Sequence, residues 1–319
     1  MSSGMIRYLP VAAFAVAVAG LAVAPQLTGP SGLSTLFYFV LYAGLAQSWN
    51  LASGFGGQAS LGHAAFLGAG AYAASIAMLH GGLPVPAALL VAVAAGAALA
   101  ALAALALLRL RGVYFAVGSL ALATAVGGLA TIWSYTGASQ GMSLPLDAVP
   151  GQNAIYYLDA AAALAVTAVA WLLTRTRAGV RMMAVRDDED AAAGLGVNAR
   201  AARVAALTVS GAFAGLFGAV VALNQVIVTP DNVFGMNWTV AMLVMTITGG
   251  IGTVVGPVAG AFVVYYLIQQ QLLNYPTLSA VLSGVLLILV VRFTRDGIWG
   301  AVCDGARRLA ATLPAGTRN

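Results

Sequence analysis

The chain has 319 residues, of which 61% are hydrophobic and only 7% charged, against about 25% charged and about 45–50% apolar in a soluble domain. Water does not solvate so apolar a chain, whereas a bilayer does. The formal charge of +5 comes from Arg alone, in short clusters between apolar runs, and the lack of a basic tail or of basic–aromatic interleaving argues against a nucleic-acid partner. Ala and Gly dominate, which suits helices packed closely in lipid. With one cysteine, Cys303, and two histidines, His63 and His80, no intrachain disulfide can form and no structural metal or cofactor site is expected.

A helix needs about 20 apolar residues to cross a hydrocarbon core about 30 Å thick. In chain order the predicted spans are roughly 7–25, 34–51, 63–80, 85–108, 113–134, 154–174, 204–224, 239–255, 257–273 and 277–292. The first begins after Arg7 and ends at Ala22-Val23-Ala24, so it reads either as a retained helix or as a signal peptide with an A-x-A site. Pro25 directly after that site is a poor cleavage context and favours retention. The run Val85 to Leu108 is the clearest, because no charge interrupts it. The pair 239–255 and 257–273 is split only by Gly256 and Pro257, and reads either as two spans or as one broken helix plus a re-entrant segment. The expected fold is therefore all-α, a polytopic transmembrane bundle of about ten helices, with a candidate broken or re-entrant segment near 52–63.

With that count both termini lie on one side. Arg7, Arg109, Arg111, the cluster from Arg175 to Arg203, and Arg292 to Arg318 then share a face, and the opposite loops hold no Arg. By the positive-inside rule the shared face is cytoplasmic. The whole of 1–319 reads as a single transmembrane domain with a cytoplasmic loop at 175–203 and a cytoplasmic tail at 293–319.

Several chemistries find no support. A chain without Lys cannot carry a P-loop, so it does not bind ATP in that manner. Neither H-E-x-x-H nor a Cys pair is present, and no membrane-embedded catalytic cluster stands out, so an enzyme is not expected. Ionisable residues are scarce in the spans. Asp159 is the main exception, read either as a functional intramembrane carboxylate or, more commonly for such a position, as a side chain that snorkels to the outer interface.

The most informative polar stretch is Arg175 to Arg203. Asp187, Asp188, Glu189 and Asp190 precede Ala191, Ala192 and Ala193, and Gly194 and Gly196 follow. Acids at a helix start complement its dipole, alanines propagate it and glycines end it. A short helix with a small-residue face over 187–198 is predicted, either seated in a partner's groove or simply solvated. Upstream, Gly54, Gly56 and Gly57 crowd together with Gln58, Ser60 and His63. Broken backbone at membrane depth is tolerated where protein or a water-filled cavity surrounds it, so this segment reads equally as a translocation lining and as close helix packing. His63 is a candidate ligand group or a hydrogen-bonded helix-end histidine. Tyr114 and Phe115 are candidate path residues or interface anchors. Gly211 with Gly215, and Gly252, Gly256 and Gly260 spaced by four, read mainly as small-residue packing ridges.

Four segments in order carry a family resemblance. Glu189-Asp190-Ala191-Ala192-Ala193-Gly194, within 184–220, resembles the EAA-type coupling loop of ABC-importer permeases. NLASGFGGQASLGHAAFLGAGAY (50–72), LRLRGVYFAVGSLALATAV (108–126) and GGIGTVVGPVAGA (249–261) are similar to signatures of the branched-chain amino acid permeases, LivM-type subunit. The likeness runs from about 35 to 295. The chain departs from the family at Leu122-Ala123-Thr124, where an acid is common, and in the loose Thr136–Gly141 loop.

The resemblance implies a bacterial inner-membrane transport subunit for branched-chain or related hydrophobic amino acids. It implies as partners two cytoplasmic ATPases, a second homologous permease and an external substrate-binding protein, with membrane lipid around the bundle. It places ATPase coupling on Glu189, Asp190, Ala191, Ala192, Gly194 and Gly196. The alternatives are a urea or short-amide permease of the same class, and a stand-alone passive channel for a small neutral solute.

Overall fold

The computed structural model describes residues 18–107, 109–293 and 297–301. Three of its long helices, those beginning at Pro30, Val85 and Pro276, carry a Pro in the first turn, where its missing N–H costs no intrahelical bond. Helix α1 spans Val18–Leu27, and α2, Pro30–Asn50, begins on Pro30 and leads into a π-helical turn at Leu51–Phe55. Then come α3, His63–Leu79; α4, Val85–Ala106; α5, Val113–Ile132; and α6, Gln152–Leu173. Two short helices follow, α7, Arg177–Asp187, and α8, Glu189–Gly194, and then the long α9, Ala199–Gln225. The chain closes with α10, Pro230–Val233; α11, Met236–Gly249; α12, Gly256–Ala261, continued as a π-helix over Phe262–Gln269; and α13, Pro276–Phe293. The bundle is all-α apart from strands β1, Met142–Ser143, and β2, Ile227–Val228, which pair antiparallel.

Each predicted span has a helical counterpart among the described residues. Four, α4, α5, α6 and α9, are long and apolar enough to cross a membrane by length and composition. Helices α11 and α12 do not fuse. They form a hairpin, and at about 1.5 Å per residue each arm reaches only about 21 Å, short of a hydrocarbon core of about 30 Å. The expected break near 52–63 is present as the π turn plus irregular backbone to Gly62, nearly all of it buried. The start of the first predicted span, its candidate cleavage question and most of the 293–319 tail lie outside the described residues.

The centre of the bundle is α3, α4 and α9, brought close by small side chains. On α4 the buried positions Ala88, Ala92, Gly96, Ala100 and Ala104 recur every four residues, one stripe along the helix. Gly96 lies against the backbone of Gly211 and Gly215, and Gly70 of α3 against that of Gly215, so a Cβ at either glycine would strike main chain. Gly211 and Gly215 are thus packing glycines. Gly256 and Gly260 do the same within the hairpin, against Gly250 and Met245. Gly252 leaves that ridge: it sits in the turn between α11 and α12 with a φ of 74°, a left-handed conformation that favours glycine.

The loops divide between the two ends as the arginine pattern predicts. At one end lie the 51–62 break, the α4–α5 turn with Arg111, helices α7 and α8, and the α11–α12 turn, tied by the contacts below. At the other, β1 pairs with β2, His80 stacks on Tyr135, and Leu144 N–H donates to Val226 O. Val226, with φ 64°, is strained for a β-branched residue, and it turns α9 directly into β2.

Candidate functional site

The arginine-bearing segment folds into two helices rather than one. Thr176 Oγ1 accepts from Gly179 N–H and opens α7, whose buried Gly179, Met182 and Val185 lie one turn apart. Asp188, extended at φ −156°, breaks the chain, and its carboxylate accepts from Asp190 and Ala191 N–H to cap α8. Gly196 N–H returns to Ala193 O and Val197 N–H to Ala192 O, a left-handed C-terminal cap. The acid–alanine–glycine grammar holds, but α8 is six residues long and shorter than the 187–198 expected.

Only Ala192 of α8 is buried. Asp190, Ala191, Ala193, Gly194 and Gly196 are exposed, and Leu195 is 86% exposed. The tip is therefore a knob of small side chains around one bare leucine. Glu189 faces the opposite way. It is bonded by Arg111 Nε at 3.2 Å and Arg203 Nη2 at 3.1 Å, which fixes the knob to the α4–α5 turn and to α9.

Arg186, at the end of α7, is the other anchor, although in the sequence it is one Arg among several in its cluster. Its Nη1 donates to Gly54 O at 2.9 Å, and its Nε to Asp187 at 2.8 Å. The side chain lies against Gly57 and Gly252, both with positive φ and neither with room for a Cβ there. Asn50 completes the junction from beneath: its Oδ1 accepts from Gly252 N–H and its Nδ2 donates to Thr253 O, each at 2.8 Å. Three segments distant in sequence, the GFGG break, the end of α7 and the GGIGT turn, thus meet on one guanidinium.

The remaining predicted residues fall in different places. Gln58 Nε2 donates to Arg203 O at 2.8 Å, Ser60 O accepts from Trp49 Nε1 at 2.8 Å, and both residues are buried. Gly56 packs on Ala52 and Ala206. His63 is fully buried, its Nε2 2.7 Å from Ser210 Oγ, which donates to Ser48 O. Tyr114 is 77% exposed on the outside of α5, whereas Phe115 points into a cluster with Ala52, Ala65 and Phe66. The break therefore gathers Gly54, Gly57 and Gln58 around the 175–203 segment and leaves Tyr114 apart from them.

Asp159 corrects one expectation. It does not snorkel: it is fully buried, and neither carboxylate oxygen has a hydrogen-bond partner among the described residues. Helix α1 lies across that end of α6, with Tyr156 Oη donating to Leu21 O and Tyr157 Oη to Ala22 O, so the carboxylate has no direct route to the interface.

An apolar bundle with a break at one end, bridged to an exposed helical knob, is the layout of a multi-pass membrane transport subunit. The family described as "Branched-chain amino acid transport system / permease component" matches residues 32–291, and the chain belongs to it. The chain is 26% identical over 299 residues to the high-affinity branched-chain amino acid transport system permease protein LivM of Escherichia coli K12, covering 83% of this chain and 68% of that protein. It is equally similar to the LivM protein of Salmonella typhimurium LT2, at 26% identity over 299 residues. No solved structure matches it.

Proposed function

We propose that the chain is the transmembrane permease subunit of an ATP-binding-cassette importer for branched-chain or related hydrophobic amino acids. Two cytoplasmic ATPases would drive it, alongside a second permease subunit and an external binding protein. The observation that carries this reading is the α8 knob: exposed, capped at both ends, and locked to the bundle through Glu189 and Arg186. In the reading, ATPase closure pushes on Ala191, Ala193, Gly194 and Leu195. The push passes through Arg186 to the 51–62 break and through Arg111 to α5, and biases a two-state bundle. The arginine-bearing end and both termini face the cytoplasm.

Gly194 gives a clean test, because nothing among the described residues lies within 4 Å of a Cβ built there. A bulky residue at this position disturbs only a partner. Gly194→Trp and Leu195→Asp in the assembled transporter are expected to cut ATP-driven leucine uptake by about 10-fold or more, the effect of losing a central contact worth about 2 kcal/mol, with normal membrane insertion. Unchanged uptake would sink the coupling role. Full-speed transport by the purified chain alone, without ATP, would favour the passive channel.

A further inference from the structure

The break that receives Arg186 on one side also forms the floor of a groove on the other. The groove, about 380 Å³, runs between α5 and the α10–α11 junction, a size within the range of about 300–1,000 Å³ usual for small-molecule sites. Its floor is Leu61, whose N–H donates to Ser119 Oγ of α5 at 3.0 Å. Its other end opens at Asp231 and Met236, on the side away from the arginines.

Along α5 the groove is lined by Thr124, Gly127, Gly128 and Thr131, spaced so that they share one helix face. Each threonine hydroxyl donates to its own helix, Thr124 to Leu120 O and Thr131 to Gly128 O, and so keeps its acceptor lone pairs for a visitor. At the mouth stands the Asp231 carboxylate, in no ion pair among the described residues, and the loops at this end carry no Arg. Phe234 closes the side. It is wedged against Gly68 of α3 and Gly127 of α5, stacks on Tyr72 at 5.8 Å, and faces a second, apolar pocket of about 640 Å³ beyond. A carboxylate, free hydroxyl acceptors and an aromatic wall suit a small molecule with an ammonium group and an aliphatic tail.

We propose that this groove is the chain's half of the solute path, open outward in this structure, with Asp231 receiving the ammonium of a free aliphatic amino acid and Phe234 bounding its side chain. The proposal rests on the importer reading for its substrate class. It also gives the 175–203 segment a target, since Leu61 is four residues along the broken backbone from Gly57, on which Arg186 packs. Pulling the break through Arg186 shifts the floor.

The single cysteine makes the test direct. In native membrane vesicles on a Cys303→Ser background, Thr124→Cys and Thr131→Cys are expected to react with a charged methanethiosulfonate about 10-fold faster or more than Ala125→Cys, an exposed neighbour outside the groove, because only a hydrated thiol ionises and reacts. Leucine, isoleucine or valine is expected to slow the two groove positions, and Asp231→Asn to abolish that protection. Equally slow labelling at all three positions overturns the proposal and assigns this face to lipid or to a packed partner helix. Fast labelling that urea slows and the amino acids do not overturns the substrate class. Neither result touches the energy source: uptake independent of ATP, with fast and leucine-protected labelling, leaves the groove in place and defeats the importer reading alone.

Discussion

At Arg186 a single side chain holds a helix break, a turn and the end of α7 together. A hydrogen bond to a charged donor is worth about 1.5–3 kcal/mol, so Arg186→Ala is expected to lower uptake by about 10-fold or more while leaving ATP hydrolysis by the assembled transporter intact. Measuring both rates on one preparation checks it, and a parallel fall in both would point to misfolding. Gly57→Ala probes the same contact from the other side. Its φ of 69° and the approach of Arg186 leave no room for a methyl group, and a destabilisation of about 1–2 kcal/mol is expected, read as a lower melting temperature in detergent. The crowding of Gly54, Gly56 and Gly57 was legible in the sequence as a break. Its partner was not, because the contact spans 132 positions and one Arg among several in a cluster looks like another charge for the positive-inside pattern. Asp159 failed for a related reason: whether a carboxylate near a helix end reaches water depends on what covers it, and α1 is far away in sequence.

Helix α4 shows how packing can be read from spacing. Its small residues every fourth position meet the glycines of α9 closely enough that main chain touches main chain. Gly96→Leu is expected to cost about 3 kcal/mol, the upper end of overpacking, and to reduce the yield of folded protein, whereas Leu102→Ala on the exposed face of the same helix is expected to change little. A folded yield equal to the unmodified chain for Gly96→Leu would show that α4 and α9 separate easily. The spans themselves were legible because about 20 apolar residues bounded by Arg, Gly or Pro leave few alternatives. Helix α7 was not, because 175–203 is polar overall. Its signal was there in Thr176 as a cap and in Gly179, Met182 and Val185 as a short buried stripe.

At the scale of the molecule, the arginine-bearing loops gather at one end and the β1–β2 ribbon sits at the other. Ala138→Cys is expected to be labelled by an impermeant thiol reagent from outside the cell and Gly194→Cys only after the cytoplasmic side is exposed. Labelling in the reverse order would invert the orientation and place the groove mouth in the cytosol. The junction at Arg186 also sets what can be exchanged between relatives. Residues 50–57, 186 and 249–253 interlock, so a graft of α7 and α8 alone from another permease is expected to leave a guanidinium without its seat or a seat without its guanidinium. The unit of inheritance here is a three-part joint scattered along the gene, and a functional hybrid has to carry all three parts together.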